Sequence, residues 1–355
     1  MGVSTAFWAG RRVLLTGHTG FKGGWLAIWL RSLGAEVHGI ALPPESESCL
    51  WSATGLADRM DGHFTDIRNQ AALAAQVQAF APECVFHLAA QPLVRASYHD
   101  PVDTYATNVM GTVNLLEALR HTESVKVIVV VTTDKCYENQ EWQWPYREND
   151  RLGGFDPYSN SKACAELVCA SYRDAFFNPA GVALATARAG NVIGGGDWGA
   201  ERLMPDILRC WDAGEELTLR YPAATRPWQH VLEPLSGYLM LAEHLMGVGA
   251  SGSGAFNFGP DDASTASVES VVSRMATLWS GGKARWRCSE QEQPHEAGLL
   301  ALDSSHARHL LSWRPRWSLD TALRHTLDWH DGWRQGDDMH ALCLRQIALH
   351  QGDSE

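Results

Sequence analysis

Arg12-Val13-Leu14-Leu15-Thr16-Gly17-His18-Thr19-Gly20-Phe21-Lys22-Gly23-Gly24-Trp25-Leu26-Ala27-Ile28-Trp29 is the stretch on which the fold turns. A short aliphatic run enters a glycine turn. Trp25, Ile28, Trp29 and Leu33 then recur at helical spacing, with Gly34 placed to end the helix. Small residues in such a turn let the backbone approach a pyrophosphate, and the helix N-terminus offers unpaired N–H groups and positive potential. Alone, the loop reads equally well as a tight turn. At the first strand–helix junction of an alternating chain, dinucleotide binding is the favoured reading.

Outward from that loop the alternation continues. Residues 36–42 read as a second strand ended by Pro43-Pro44, 71–80 as a helix, 84–88 as a strand, 104–120 as a helix and 126–131 as a strand. These strands carry few alternating polar positions, which suits burial on both faces. The expected fold class is α/β, a Rossmann-type doubly wound parallel sheet spanning residues 1–190 and carrying the catalytic residues. Past about 190, turn-rich and tryptophan-containing segments replace the alternation. Residues 191–335 are expected to form a smaller C-terminal substrate-binding lobe with some return to the sheet, and 336–355 a polar tail.

Composition narrows the class. The chain has 355 residues, 45% hydrophobic and 20% charged, and a net charge of −12. That balance supports a large globular core and excludes a general nucleic-acid scaffold, which the phosphate backbone would repel. No apolar run approaches the roughly 18 residues of a membrane span. Arg11-Arg12 interrupt any secretory h-region, and Ala6 stands where a myristoylation start wants Ser or Thr. The eight cysteines lack C-x-x-C spacing and read as reduced thiols, with no metal site. A cytoplasmic location is expected.

Two clusters carry chemistry. Tyr158 and Lys162 lie four apart, hence on one helix face, where an ammonium favours phenolate formation. Thr133-Asp134-Lys135 falls at the carboxyl end of the 126–131 strand, where open α/β sheets bind ligands. The usual acidic residue ending the second strand is missing, and no Lys or Arg occurs from 38 to 50 to neutralise a 2′-phosphate. NAD is therefore favoured over NADP. Asp66-Ile67 lies where a carboxylate could accept from the adenine amino group. Arg202, Arg220 and Arg226 in the second lobe suit a substrate diphosphate. Trp198, Trp211 and Trp228 read as packing residues; fifteen tryptophans cannot all be ligands.

The glycine loop, His87-Leu88-Ala89-Ala90-Gln91, Asn108-Val109-Met110-Gly111-Thr112 and Tyr158-x-x-x-Lys162 resemble the extended short-chain dehydrogenase/reductase family. Within it, four segments are similar to the CDP-sugar branch of the nucleotide-sugar 4,6-dehydratases: 17–23, 133–139, 190–198 and 226–234. The resemblance runs from about residue 8 to 330. It implies NAD held by Gly17, Thr19, Gly20, Phe21, Lys22, Gly23, Asp66, Ile67, Leu88, Ala89, Ala90, Tyr158 and Lys162. It also implies conversion of CDP-glucose to a 4-keto-6-deoxy sugar by internal hydride transfer from C4 to C6. Tyr158 would take the C4 hydroxyl proton, Thr133 would bond the C4 oxygen, and Asp134 would protonate the departing C6 hydroxyl. Lys135 would serve as the C5 base or stabilise the enolate. By the same resemblance Asn191 and Arg226 meet the diphosphate, Arg202 and Arg220 lie on the nucleotide side, His295 approaches the ribose or base, and the protein is a homodimer. A 4-epimerase, a dehydratase of another NDP-hexose and a non-catalytic NAD sensor are the competing readings.

Overall fold

The computed structural model describes residues 2–44, 46–261, 264–289 and 299–352. Seven strands form the central sheet: β1 (Arg12–Thr16), β2 (Glu36–Ala41), β3 (Asp61–Phe64), β4 (Cys84–His87), β5 (Val127–Val131), β6 (Ala183–Ala189) and β7 (Gly254–Phe258). Their order is β7-β6-β5-β4-β1-β2-β3, with every pair parallel. After β3 the chain crosses to the far side of β1, so the loops following β1 and β4 diverge and open a crevice at the strand ends.

Alternate residues of the central strands enter opposite cores. Val127, Val129 and Val131 pack with Leu15, Trp25 and Trp29 on one face; Ile128 and Val130 pack with Leu14, Val85, Leu115 and Leu116 on the other. Burial on both sides is why these strands read as unbroken apolar runs. The edge strand β3 is exposed throughout and offered no such signal.

Helices α1 (Phe21–Ser32), α2 (Gln70–Phe80), α3 (Gly111–Arg120) and α4 (Pro157–Tyr172) cover the sheet. The start of α4 is fixed by Asp156, whose side chain accepts from Ser159 N, and by Pro157 in the first turn. The helix expected over 104–120 is interrupted. Pro101–Tyr105 is α-helical, Ala106–Met110 is a π-turn, and α3 follows. Single π-turns of this kind occur frequently at functional sites.

The second lobe has its own core. It is built from α5 (Leu203–Asp212), α7 (Val268–Leu278) and α8 (Leu319–Gln335), around Trp211, Trp228, Met275 and Leu323. Between them, α6 (Leu232–Val248) and β7 return to the main sheet. The 336–355 segment departs from the expected polar tail. Met339–Gln351 forms α9, which packs on α1 and buries Met339, Leu342, Cys343, Gln346, Ile347 and His350. Those six positions follow helical spacing, but the polar Gln346 and His350 mask the stripe.

Candidate active site

The glycine loop closes the first strand onto α1. Gly20 caps that helix without a side-chain hydrogen bond, leaving its first N–H groups to a ligand. A Cβ at Gly23 would lie 2.0 Å from Gly17 O, so only glycine permits this approach. Thr19 Oγ1 donates to Leu42 O at 3.0 Å, tying the loop to the end of β2.

Beside the loop, a hydroxyl–imidazole chain sets the turn after β4. Thr16 Oγ1 accepts from Leu88 N and Ala89 N, both at 3.1 Å, so its own proton goes to His87 Nδ1 at 2.7 Å. His87 Nε2 then donates to Thr112 Oγ1 at 3.1 Å, and Thr112 donates to Asn108 O at 2.7 Å. Burial holds His87 neutral, its pKa lowered to about 3. Asn108, in the π-turn, donates to Gln91 O and to Ser161 Oγ, joining this turn to α4.

Tyr158 and Lys162 are both buried at the cleft wall. Ser97, a residue the sequence did not single out, accepts from Tyr158 N at 3.0 Å. Burial pushes the Tyr158 phenol up to about 12, partly opposed by the Thr133 hydroxyl. Burial likewise lowers Lys162 to about 8, and its Nζ donates to Val131 O at 3.4 Å.

Thr133 starts the short turn Asp134–Cys136 by accepting from Lys135 N, and its hydroxyl donates to Asp134 Oδ1 at 3.0 Å. Asp134 Oδ2 is buried, faces Gly190, and has no hydrogen-bond partner among the described residues. Burial raises the Asp134 pKa, with Lys135 opposing. A carboxyl held toward its acid form, with one free oxygen in a cleft, is equipped to give a proton.

The cleft encloses about 1290 Å³ between sheet and second lobe. It brings together Gly17, Thr19, Gly20, Phe21, Lys22, Gly23, Asp66, Ile67, Leu88, Ala89, Ala90, Thr133, Asp134, Lys135, Tyr158, Lys162, Asn191, Arg202, Arg220 and Arg226. His295 lies outside the described residues. Asp66 is engaged: Arg68 Nη2 donates to its Oδ2 at 2.6 Å and Arg68 N to its Oδ1 at 2.8 Å. Arg202 pairs with Asp197 at 2.9 Å, and Arg226 is buried near enough to Asp134 to act on its charge. Trp211 and Trp228 are core residues of the second lobe, and Trp198 packs edge-on against Trp329 and Trp333 while also reaching the cleft.

A family model described as GDP-mannose 4,6 dehydratase matches residues 14–326. The chain is 51% identical over 347 residues to CDP-glucose 4,6-dehydratase of Salmonella typhimurium, covering 96% of each. UDP-glucose 4-epimerase of Halalkalibacterium halodurans is 26% identical, over 90% of this chain and 95% of its own. The solved UDP-glucose-4-epimerase from Stenotrophomonas maltophila, with bound NAD and formylated UDP-arabinopyranose, superposes with a TM-score of 0.80 at 22% identity. That match covers 92% of this chain and 99% of the other, and it shows the common fold.

Proposed function

This chain belongs to the GDP-mannose 4,6 dehydratase family, and from that premise we propose that it is an NAD-dependent hydro-lyase converting CDP-glucose to CDP-4-keto-6-deoxyglucose and water. The observation that carries the elimination is Asp134, buried in the cleft with Oδ2 unpartnered among the described residues and its acid form favoured. An epimerase would use Tyr158 and Lys162 and would have no work for such an acid.

The glycine cradle and the open start of α1 fit a dinucleotide pyrophosphate, with Leu88, Ala89 and Ala90 beside it. Bound there, NAD⁺ would supply a hydride acceptor for oxidation at C4 and, once reduced, a hydride donor for C6. Tyr158, one helical turn before Lys162, takes the C4 hydroxyl proton, and Thr133 hydrogen-bonds the C4 oxygen. The 4-ketone acidifies C5–H, whose proton is removed on the Lys135 side, and Asp134 protonates the C6 hydroxyl as it leaves as water. Reprotonation at C5 completes a redox-neutral loss of one water.

Arg202, Arg220, Arg226 and Asn191 line the cleft and suit a nucleotide diphosphate, and CDP is proposed from the 51% identical relative. Pure protein offered CDP-, dTDP-, GDP- and UDP-glucose should turn over the CDP-sugar preferentially to an alkali-absorbing 4-keto product. Equal turnover of CDP- and dTDP-glucose would remove the nucleotide assignment; no keto product from any would remove the dehydratase reading.

No described helix is long and apolar enough to cross a membrane, and eight free cysteines suit a reducing cytoplasm. We propose the homodimer that the resemblance implies, joined through the 104–120 stretch and α4; exposed Val102, Met110 and Leu167 on neighbouring helices support it.

A further inference from the structure

Glu166 and Arg188 play no part in the chemistry above, yet they form a buried ion pair at 2.8 Å directly beneath it. Glu166 follows Tyr158 and Lys162 at steps of four, on the same stripe of α4. Thr132 Oγ1 donates to its Oε1, while Thr186 Oγ1 at 2.7 Å and Arg188 Nη2 at 2.8 Å donate to Oε2. Arg188 Nη1 donates to Tyr137 OH at 2.8 Å and to Glu148 O at 3.0 Å. The Tyr137 hydroxyl donates to Asn257 Oδ1 at 2.7 Å, on the neighbouring strand β7.

Thr132 and Tyr137 bracket the segment that holds Thr133, Asp134 and Lys135. One end of the segment is therefore bonded to the carboxylate of the pair and the other to its guanidinium. The carboxylate itself rides on the helix that carries Tyr158 and Lys162. Buried ion pairs are a poor source of stability, since apolar replacements of equal volume are often neutral or better. A charged network kept here needs another reason.

We propose that the Glu166–Arg188 pair is a positioning device that holds the elimination group in register with the redox group. Asp134 and Lys135 then meet C6 and C5 of the same sugar whose C4 oxygen lies at Tyr158 and Thr133. This rests on the dehydratase reading above.

Glu166→Gln strands the Arg188 charge and endangers folding, so the test uses Tyr137→Phe and Thr132→Val, each removing one hydroxyl at one end. CDP-glucose reactions are quenched with borodeuteride, which labels C4 ketones and separates sugars that keep or have lost the C6 hydroxyl. Because a shift of roughly 1 Å can cost about 10²-fold, Tyr137→Phe should lower kcat for the 6-deoxy product by about 10- to 100-fold. KM should stay within about twofold, and trapped CDP-4-ketoglucose should rise because C4 oxidation outruns elimination. Thr132→Val should shift the same partition. Unchanged kcat with only a lower Tm, or oxidation and elimination falling together, makes the pair merely structural and overturns the proposal. Wild-type protein that forms no 4-keto-6-deoxy sugar overturns the dehydratase reading and this proposal with it; wild-type turnover with an unaltered partition in both variants overturns this proposal alone.

Discussion

At Tyr158 and Asp134 the same force, burial, acts on two acids and gives each a different use. It pushes the phenol up to about 12, so in the free protein the proton stays on Tyr158 until charge in the filled site draws it off. Tyr158→Phe keeps the ring packing and should cost at least about 10²-fold in turnover, the usual loss for a general base; near-normal activity would make the Tyr158–Lys162 pair structural. Burial also raises Asp134. Its proton-donating form therefore persists above the ordinary carboxylate range and is lost as pH climbs through the raised pKa. Elimination should fall along that limb, and Asp134→Asn should lack the limb altogether, trapping 4-ketoglucose while solvent deuterium still enters C5. The stability sign runs the same way. A carboxyl whose folded pKa is raised contributes stability below its unfolded pKa and loses it as pH rises through the folded value. At pH 8, Asp134→Asn should melt no lower than wild type; a clear drop would mean that Asp134 is ionised and paired there.

At the scale of elements, what was legible followed from local repetition. β1, β2, β4 and β5 announced themselves because both faces are buried, and α4 because Tyr158 and Lys162 needed a helix face. The exposed strand β3 has no such pattern, and the π-turn at Ala106–Met110 is a local over-count that periodicity cannot resolve. The Glu166–Arg188 network was invisible because its partners are distant: Tyr137 and Asn257 are 120 residues apart in the chain. Ser97 carries no signal in the sequence for the same reason, since the Tyr158 N–H that it accepts lies 61 residues away; Asn108 stands in a recognisable motif, but its bond to Ser161 spans 53 residues and is equally hidden. Helix α9 was misread as a tail because Gln346 and His350 occupy its buried stripe. Ile347, 2% exposed, packs in the core shared with α1. Ile347→Ala should lower stability by about 2–5 kcal/mol, the range for emptying a buried aliphatic site, seen as a lower urea midpoint with kcat retained. An unshifted midpoint would mean that α9 contributes nothing to the fold.

For the whole molecule, the question is what covers the helices on the α4 side of the sheet. Val102 is 77% exposed, Met110 52% and Leu167 60%, and the three helical segments that carry them pack side by side. Single exposed apolar residues are ordinary, but several on adjoining helices mark an interaction surface. A second copy turned by a twofold axis would set this patch against itself, giving the self-complementary contact of most homodimers. The same helical stretch carries Thr107 into the cleft and Asn108 into the bonds to Gln91 and Ser161, so the shared surface would back directly onto the active site. Wild-type protein should therefore sediment at about twice the 39.1 kDa of one chain, with a Tm that rises with protein concentration, as linkage between folding and association requires. Met110→Asp combined with Leu167→Asp places two carboxylates in that contact without touching the core. The double variant should remain folded, sediment as a single chain, and show a Tm independent of concentration. A wild-type monomer, or a double variant that still pairs, would mean that these helices meet solvent and not a second copy.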